Sequence, residues 1–443
     1  MCYIYSEELS YIRHLTNSLR IIYSWAKMNM ELLEGPLQRC FRGLQVVVGR
    51  GFKLEALSVH LVYLLLKPVL LQPTLPPGCE LSIMILDHCW PQEEADTYTA
   101  VRPLLRGFME ILLHAIGRFR ALEPPPEGVL IRLCTSVILS DCEWELLLSE
   151  TGILAPEKAV RQASLKVILK SIRPESEPVL EKETLVWLSV HYDDEDIQGL
   201  ALECWSELRA SVSHEHITRL LKLLCHKKEH IRTAAATALG SGLCFLLENS
   251  QKKTIEALMD LYASHVILPS KASENRGKGM RTVPQKMDED LLWPVRKAVG
   301  TTLQAASSSK AFITSDVSTL LLFLLHKGVV DSRPEVREAM LQAGLALIAT
   351  YGDDMSSELY STVDGALAGR EGVSKEEGPE VSDWRHEAAV VLLGAVGRHL
   401  DKEDPNVIQI TLSLIEALTT PSVKNAGSLT YIQYNSFIYV HKF

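Results

Sequence analysis

Residues 331–352, DSRPEVREAMLQAGLALIATYG, contain the pattern from which the fold of this chain follows. The opening Asp-Ser pair accepts hydrogen bonds from the first N–H groups of a helix, and Pro334 suits the first helical turn because its missing N–H would have no partner there. Apolar residues then recur with helical spacing at Val336, Ala339, Met340, Ala343 and Leu347. The stretch predicts a polar turn followed by an amphipathic helix whose stripe, with Met340 and Leu347, is buried.

This turn joins two predicted helices, and the same pair occurs earlier in the chain. Before the turn, residues 317–330 (VSTLLLFLLHKGVV) predict a first helix. Earlier, Ile217, Leu220, Leu221 and Leu224 lie on one helical face, a polar turn follows at 226–230, and a second helix begins at Ile231 with alanines on its apolar face. Small side chains on that face allow two helices to approach closely.

The second helices share a start, an apolar residue followed by a polar and usually basic one. The apolar positions are 160, 197, 231, 295, 336, 384 and 423, with spacings of 37, 34, 64, 41, 48 and 39 residues. Four of the six spacings are near the period of roughly 40 residues that is typical of HEAT and armadillo repeats. The two longer spacings coincide with polar insertions at 269–290 and 369–382.

The predicted fold is therefore all-α, a HEAT/armadillo-type α-solenoid of antiparallel helix pairs running from about residue 150 to 422. Neighbouring pairs in such an array bury their apolar stripes against one another and form one continuous core. The predicted segments are degenerate helical repeats at 1–122, HEAT repeats at 123–268, a basic flexible loop at 269–290, further HEAT repeats at 291–424, and an atypical tail at 425–443.

Composition and charge restrict the class of protein. The 443 residues are 47% hydrophobic and carry a net charge of −10, so contact with nucleic acid requires a local basic patch. Nine cysteines occur with no Cys-x-x-Cys pair, and no Asn-x-Ser/Thr sequon is present, which indicates reduced thiols in the cytosol or nucleus, and we expect a cytoplasmic location. No signal peptide or membrane span is predicted, since the most apolar stretch, 57–71, has 15 residues and includes Lys67 and Pro68.

The sequence predicts no enzyme, no metal site and no cofactor. The pair Gly49 and Gly51 lacks the third glycine of a dinucleotide-binding loop. His226 and His230 have metalloprotease spacing but neither the adjacent glutamate nor a third ligand. The acidic run 193–196 lacks the final glutamate of a calcium loop and instead predicts an acidic helix start.

Basic residues give two further hypotheses. The arginines that begin the second helices are expected to form a structural ladder along one edge, paired with acidic turn residues of neighbouring repeats; they are Arg161, Arg232, Arg296, Arg337 and Arg385. The basic loop carries a set of possible RNA or partner contacts, with Glu274 as the single acidic residue in 271–286: Lys271, Arg276, Lys278, Arg281 and Lys286. A second basic cluster lies nearby in sequence at Arg219, Lys222, Lys227, Lys228 and Arg232.

The chain resembles a known family. Residues 331–352 resemble a unit of the general-control translational activators, and 395–422, AVGRHLDKEDPNVIQITLSLIEALTTPS, resemble that family more closely. These are giant HEAT-repeat proteins that associate with ribosomes and activate the initiation-factor-2-alpha kinase in amino-acid starvation. The resemblance extends over about 150–425, stops after Lys424, and implies a partial chain or a truncated isoform of a longer protein.

The resemblance also implies partners. The ribosome, the initiation-factor-2-alpha kinase and an ATPase related to elongation factor 3 are expected for the family, with the kinase-binding part in a region absent from this sequence. The same repeats also build TOG-like tubulin-binding arrays and nuclear transport receptors, which remain the alternatives at this point.

The end of the chain departs from the repeat pattern. The predicted helix 407–418 is strongly apolar, but the residues after it, 425–443, are rich in aromatic and β-branched side chains. We expect that this tail does not form the second helix of a repeat and that the apolar face of 407–418 is left partly exposed.

Overall fold

The computed structural model describes Tyr63, Ile83 and seven ranges, with the side chains of 285–291, 379 and 416–419 excepted: 102–119, 125–135, 137–172, 179–266, 285–367, 379–401 and 403–419. These residues form fourteen α-helices and, within the same ranges, no β-strand. The all-α prediction is therefore confirmed. The tail at 425–443 and most of the basic loop lie outside the described residues.

The chain divides into two compact units. Unit 1 comprises residues 1–190 and 194–210, and unit 2 comprises 191–193 and 211–443. The division falls inside the segment that the sequence predicts as one run of repeats, 123–268.

Six helices are described in unit 1: α1 Leu105–Arg118, α2 Pro126–Thr135, α3 Asp141–Leu147, α4 Lys158–Ser171, α5 Leu180–Ser189 and α6 Glu195–Leu208. Its core centres on α1, where Phe108 and Leu112 are fully buried and pack with the apolar faces of α2 and α4. A capping box starts α3, in which Glu143 accepts from Ser140 N at 2.7 Å and from Arg102 Nη1 at 2.8 Å. This buried glutamate ties the residues before α1 to the start of α3.

Eight helices are described in unit 2: α7 His214–Leu223, α8 Glu229–Gly242, α9 Glu248–Ser264, α10 Gln285–Ser308, α11 Thr314–Phe323, α12 Pro334–Leu367, α13 Pro379–Val396 and α14 Pro405–Thr419. Each first helix packs on the second helix of its own pair, as α7 does on α8 and α9 on α10. The second helices α8, α10, α12 and α13 pack in succession on one another. Met340 and Leu347 are 0% and 1% exposed, so their predicted burial is confirmed.

Small residues permit the close packing of these second helices. A side chain built at Gly240 would place its Cβ 2.5 Å from the carbonyl oxygen of Thr302, and one at Gly300 would meet the Ala339 Cβ at 3.0 Å. The backbones of α8, α10 and α12 therefore approach one another too closely for larger groups at these two positions. The expectation that small residues bring helices together is met by glycine as well as by alanine.

Two helix boundaries differ from the sequence prediction. Helix α10 begins at Gln285, inside the segment predicted as a loop, and continues through Pro294 instead of starting at Val295. Helix α12 has 34 residues and contains a break at Met355, where φ is −134°. Helix α12 packs with α13, the second helix of the next repeat.

Candidate functional site

The starts of the second helices of unit 2, with the described turns before them, lie along one edge, which we call the turn edge. Lys297 Nζ on α10 lies 3.3 Å from Glu229 Oε1 at the start of α8. Arg296, one residue earlier, binds Asp331 in the turn before α12 at 2.8 Å. Arg337 on α12 lies against Trp384 on α13, with Cζ 3.9 Å from the ring centroid. These contacts join the starts of successive second helices into a continuous row.

Three of the ladder arginines bind carbonyl oxygens of their own turns. Nη1 of each donates to the two carbonyls that lie six and five residues before it: Arg161 to Ala155 and Pro156 at 2.7 and 2.8 Å, Arg232 to His226 and Lys227 at 2.7 Å each, and Arg337 to Asp331 and Ser332 at 2.8 and 3.2 Å. A turn between two helices leaves carbonyl oxygens without intrahelical partners, and the guanidinium satisfies them. These contacts stay within one repeat and differ from the acidic partners in neighbouring repeats that the sequence predicts.

Arg296 does have the predicted acidic partner in the next repeat. Its Nε and Nη2 donate to Asp331 Oδ2 and Oδ1 at 2.8 and 2.9 Å, and its Nη1 donates to the His265 carbonyl at 2.7 Å. The Tyr262 hydroxyl donates to the same carboxylate at 2.7 Å, and Arg333 N donates to it at 2.9 Å. Burial and the nearby Asp331 raise the pKa of Tyr262, so its hydroxyl stays protonated and remains a donor.

The turn edge also carries two pairs of tryptophan and arginine. Arg333 Cζ lies 5.1 Å from the ring centroid of Trp293 on α10, and Arg337 Cζ lies 3.9 Å from that of Trp384 on α13. All four side chains are half-buried. The sequence analysis did not identify this row. The signal for it is a tryptophan one or three residues before a ladder arginine, in Trp384-Arg385 and Trp293-Pro-Val-Arg296.

A cluster of cations without carboxylate partners lies at the α7 end of this edge. Arg219 and Lys222 are exposed in the second half of α7, three residues apart and hence on one face, and Lys227 is exposed in the following turn. Within the described part of the chain, no hydrogen bond or ion pair involves these three side chains. Their charges are therefore available to an anionic partner.

The remaining predicted site residues are placed as follows. Lys271, Arg276, Lys278 and Arg281 lie outside the described residues, and Lys286 lies in the first turn of α10 with its side chain not described. The predicted flexible loop is therefore too long at its C-terminal end, because residues 285–290 are helical. Arg385, the last ladder arginine, is 4% exposed.

The rejected metal motifs have structural roles. His226 Nδ1 accepts from Lys228 N at 3.1 Å within the turn, which accounts for one histidine of the candidate pair. Asp194 begins α6, accepts from Ile197 N at 3.1 Å and lies 2.7 Å from Lys158 Nζ, so the predicted acidic helix start is confirmed. In the described ranges no group of three metal-binding side chains is assembled, and no helix there is long and apolar enough to cross a membrane.

Comparison with known proteins identifies relatives of this chain. A family model described as "Stalled ribosome sensor GCN1, HEAT repeats" matches residues 176–398, just over half of the chain. No solved structure matches the chain.

Three relatives give the extent of the similarity. Protein ILITYHIA of Arabidopsis thaliana is 24% identical over 74% of this chain and 11% of its own length. The stalled ribosome sensor GCN1 of Homo sapiens is 26% identical over 54% of the chain and 8% of its own length. The eIF-2-alpha kinase activator GCN1 of Saccharomyces cerevisiae is 25% identical over 66% of the chain and 10% of its own length.

The chain thus spans about a tenth of the length of these relatives. The matched family model covers α5 to α13, which includes the whole row of turn contacts from Glu229 to Trp384. Helix pairs, repeat spacing and family match agree, and the chain belongs to the GCN1 family of HEAT-repeat proteins.

Proposed function

We propose that this chain is a non-catalytic scaffold segment that associates with ribosomes in the cytoplasm and supports activation of the initiation-factor-2-alpha kinase in amino-acid starvation. Two relatives are named for ribosome-stall sensing and for activation of the eIF-2-alpha kinase, which supports this role. Contact with the kinase is assigned to parts of the family protein outside this sequence. An ATPase related to elongation factor 3 is proposed as a further partner from the family resemblance.

The observation that carries ribosome association is the unpaired cation cluster of Arg219, Lys222 and Lys227. The ribosome surface is rich in phosphate, and cations that neutralise phosphates release condensed counterions and so gain affinity at low salt. Three cations without carboxylate partners, exposed on a chain of net charge −10, give such a contact a defined location. The sequence between α9 and α10 adds four basic residues, Lys271, Arg276, Lys278 and Arg281, as further candidates for phosphate contact.

Sedimentation on sucrose gradients tests this proposal. We expect the triple variant Arg219→Glu, Lys222→Glu, Lys227→Glu to leave the ribosomal fractions at moderate salt, while the parent chain remains in them. Each lost phosphate contact should reduce the slope of log affinity against log salt by about 0.7–0.9, so the slope should fall by about 2–3 in total.

A matched variant controls for net charge. Lys252→Glu, Lys253→Glu, Lys310→Glu makes the same change in charge at three exposed lysines away from the turn edge. Lys252 and Lys253 lie near the start of α9, roughly 18 Å from its turn end at 1.5 Å per residue. Equal sedimentation of the two triple variants contradicts the proposal, and co-pelleting with microtubules in place of ribosomes would support the tubulin-binding alternative.

A further inference from the structure

We propose that the row Trp293, Arg333, Arg337 and Trp384 is a stacking platform for unpaired nucleotides of RNA. The proposal rests on the proposed function, because it specifies which RNA chemistry this segment recognises. We call these four residues the Trp–Arg row.

The first support is the geometry of the row. Arg333 immediately precedes α12, and its carbonyl accepts from Arg337 N at 3.1 Å, so the two residues lie one helical turn apart. One guanidinium lies over an indole of the preceding second helix and the other over an indole of the following one, at 5.1 and 3.9 Å. The row thus crosses three successive helices, and interaxial distances of about 8–10 Å put the two indoles roughly 20 Å apart.

The second support is the chemistry of flat π surfaces. Single-stranded nucleic acids bind through bases stacked on aromatic rings and on guanidinium planes. The Arg333 side chain is 31% exposed, and Arg337 and both indoles are half-buried, so each pair has surface that reaches solvent. A base stacked on either guanidinium would extend an existing guanidinium–indole pair.

The third support is how the arginines are held. Arg337 Nη1 donates to the carbonyls of Asp331 and Ser332, and Asp331 is in turn held by Arg296 at 2.8 Å. The guanidinium is therefore fixed before any ligand binds, and a fixed group loses less conformational entropy on binding.

Charge determines which mode of binding dominates. Glu335 lies 3.5 Å from Arg333, and Glu387 is among the acidic groups that act on Arg337. Because these carboxylates offset much of the positive charge, stacking and not phosphate attraction supplies the affinity. We therefore expect a shallow salt dependence, in contrast to the steep one expected for the cluster Arg219, Lys222 and Lys227.

Fluorescence anisotropy with the full chain tests the platform. The probes are a short fluorescein-labelled oligoadenylate, its duplex with oligouridylate, and an abasic oligomer with the same number of phosphates. We expect the single strand to bind about tenfold or more tightly than either other probe, and to quench part of the tryptophan fluorescence. Equal binding of the abasic oligomer, or of the duplex, overturns the proposal.

Substitutions locate the binding on the row. Stacking changes affinity by about 5- to 150-fold per base, so Trp384→Leu and Trp293→Leu should each weaken oligoadenylate binding by about tenfold, whereas Trp384→Phe should retain most of it. Arg333→Lys keeps the charge but removes the planar group, and it should also weaken binding. Thermal melting of each variant identifies any loss of fold, and folded leucine variants that bind like the parent contradict the platform.

The same variants separate this inference from the proposed function. If folded Trp293→Leu and Trp384→Leu proteins sediment with ribosomes like the parent and the parent itself does not bind oligoadenylate, the platform is wrong and ribosome association stands. If the parent binds oligoadenylate through the row but never sediments with ribosomes, the proposed function fails and the platform stands.

Discussion

Arg296 and Asp331 form a buried two-point ion pair between consecutive repeats, with both side chains 2% exposed and N–O distances of 2.8 and 2.9 Å. The aspartate belongs to the turn before α12, and the arginine belongs to α10. Tyr262 and the backbone N–H of Arg333 complete the hydrogen bonding of the carboxylate. The pair therefore fixes the register of one repeat on the next through a network in which the carboxylate is fully engaged.

Breaking this pair from one side is expected to destabilise unit 2 strongly. Arg296→Met leaves a buried carboxylate, and Asp331→Leu leaves a buried guanidinium, at a cost of about 3–5 kcal/mol each. The double substitution should cost less than the sum of the two, because neither charge remains. Urea denaturation of the four proteins in a double-mutant cycle measures the coupling, and strict additivity would show that the pair does not act as a unit.

The pair Lys297–Glu229 is the matched control for that cycle. It joins α10 to α8, the second helix of the preceding repeat, at 3.3 Å, but its side chains are 40% and 69% exposed. Solvent screening limits such pairs to about 0–1 kcal/mol. A coupling free energy for this pair as large as that for the buried pair would contradict the assignment of the difference to burial.

Because α8 and α10 cross closely at Gly240, we expect a single added methyl group there to lower the stability of the protein. Gly240→Ala would place Cβ within 2.5 Å of a backbone oxygen of α10, so the two helices must move apart. We expect the free energy of unfolding to fall by about 1–3 kcal/mol, as for overpacked cores.

Gly394 is the control position. There the same change meets only Leu414 side-chain atoms at 3.6 Å, and the higher helix propensity of alanine should leave stability equal or raise it by up to about 1 kcal/mol. Denaturant midpoints compare the two variants, and equal midpoints would refute the crossing.

The second helices and part of the core were predictable from the sequence, whereas some contacts and helix boundaries were not, for physical reasons. The apolar-basic start marked the second helices because helical periodicity is local, and it placed Met340 and Leu347 in the core correctly. The acidic partner of Arg296 in the next repeat was predicted, but the sequence did not separate Arg296 from Arg161, Arg232 and Arg337, which bind carbonyls of their own turns. The start of α10 was missed because Pro294 suggests a helix boundary, whereas the helix continues through it.

Leu347 lies on the buried face of α12, and we expect its truncation to lower the stability of the protein strongly. This residue is 1% exposed, and its truncation to alanine removes buried methyl groups and leaves a cavity, which typically costs about 2–5 kcal/mol. Leu247, 82% exposed in the same unit, is the control, where Leu→Ala should change the free energy of unfolding by less than about 0.5 kcal/mol. Hydrogen exchange of α12 amides reports the local effect, and similar exchange in both variants would contradict the face assignment.

Burial of His191 predicts a dependence of stability on pH. Desolvation lowers its pKa from 6.5 to about 4, because the imidazolium is disfavoured in the folded protein. Between these two pH values the unfolded chain binds more protons than the folded protein. The contribution of His191 to the free energy of unfolding is therefore complete above pH 6.5, and it falls by up to about 1.4 kcal/mol per pH unit as the pH decreases towards 4.

Comparison of variants isolates that contribution. His191→Gln removes the titrating group and should flatten the decline of stability between pH 6.5 and 4, whereas His214→Gln, at an exposed position at the start of α7, removes one histidine as a control. Urea midpoints at several pH values give the slopes. Parallel slopes for the parent and His191→Gln would show that this histidine does not titrate differently on folding.

The exposed face of α14 predicts self-association. Ile408, Leu412 and Ile415 are 68%, 54% and 54% exposed, and their spacing of four and three residues puts them on one face, while Val407, Ile410 and Leu414 are buried on the other. An apolar stripe of this kind is normally covered, since solenoids need polar outer faces to remain soluble.

We expect light scattering to show association of the chain at increasing concentration. This association should decrease when the three exposed residues are replaced by lysine or when the chain ends before Val407. The lysine variant keeps the buried side of the helix and so separates loss of the exposed face from loss of the repeat. A monomeric parent chain, together with amide exchange protection through 428–440, would show instead that the segment after α14 covers this face.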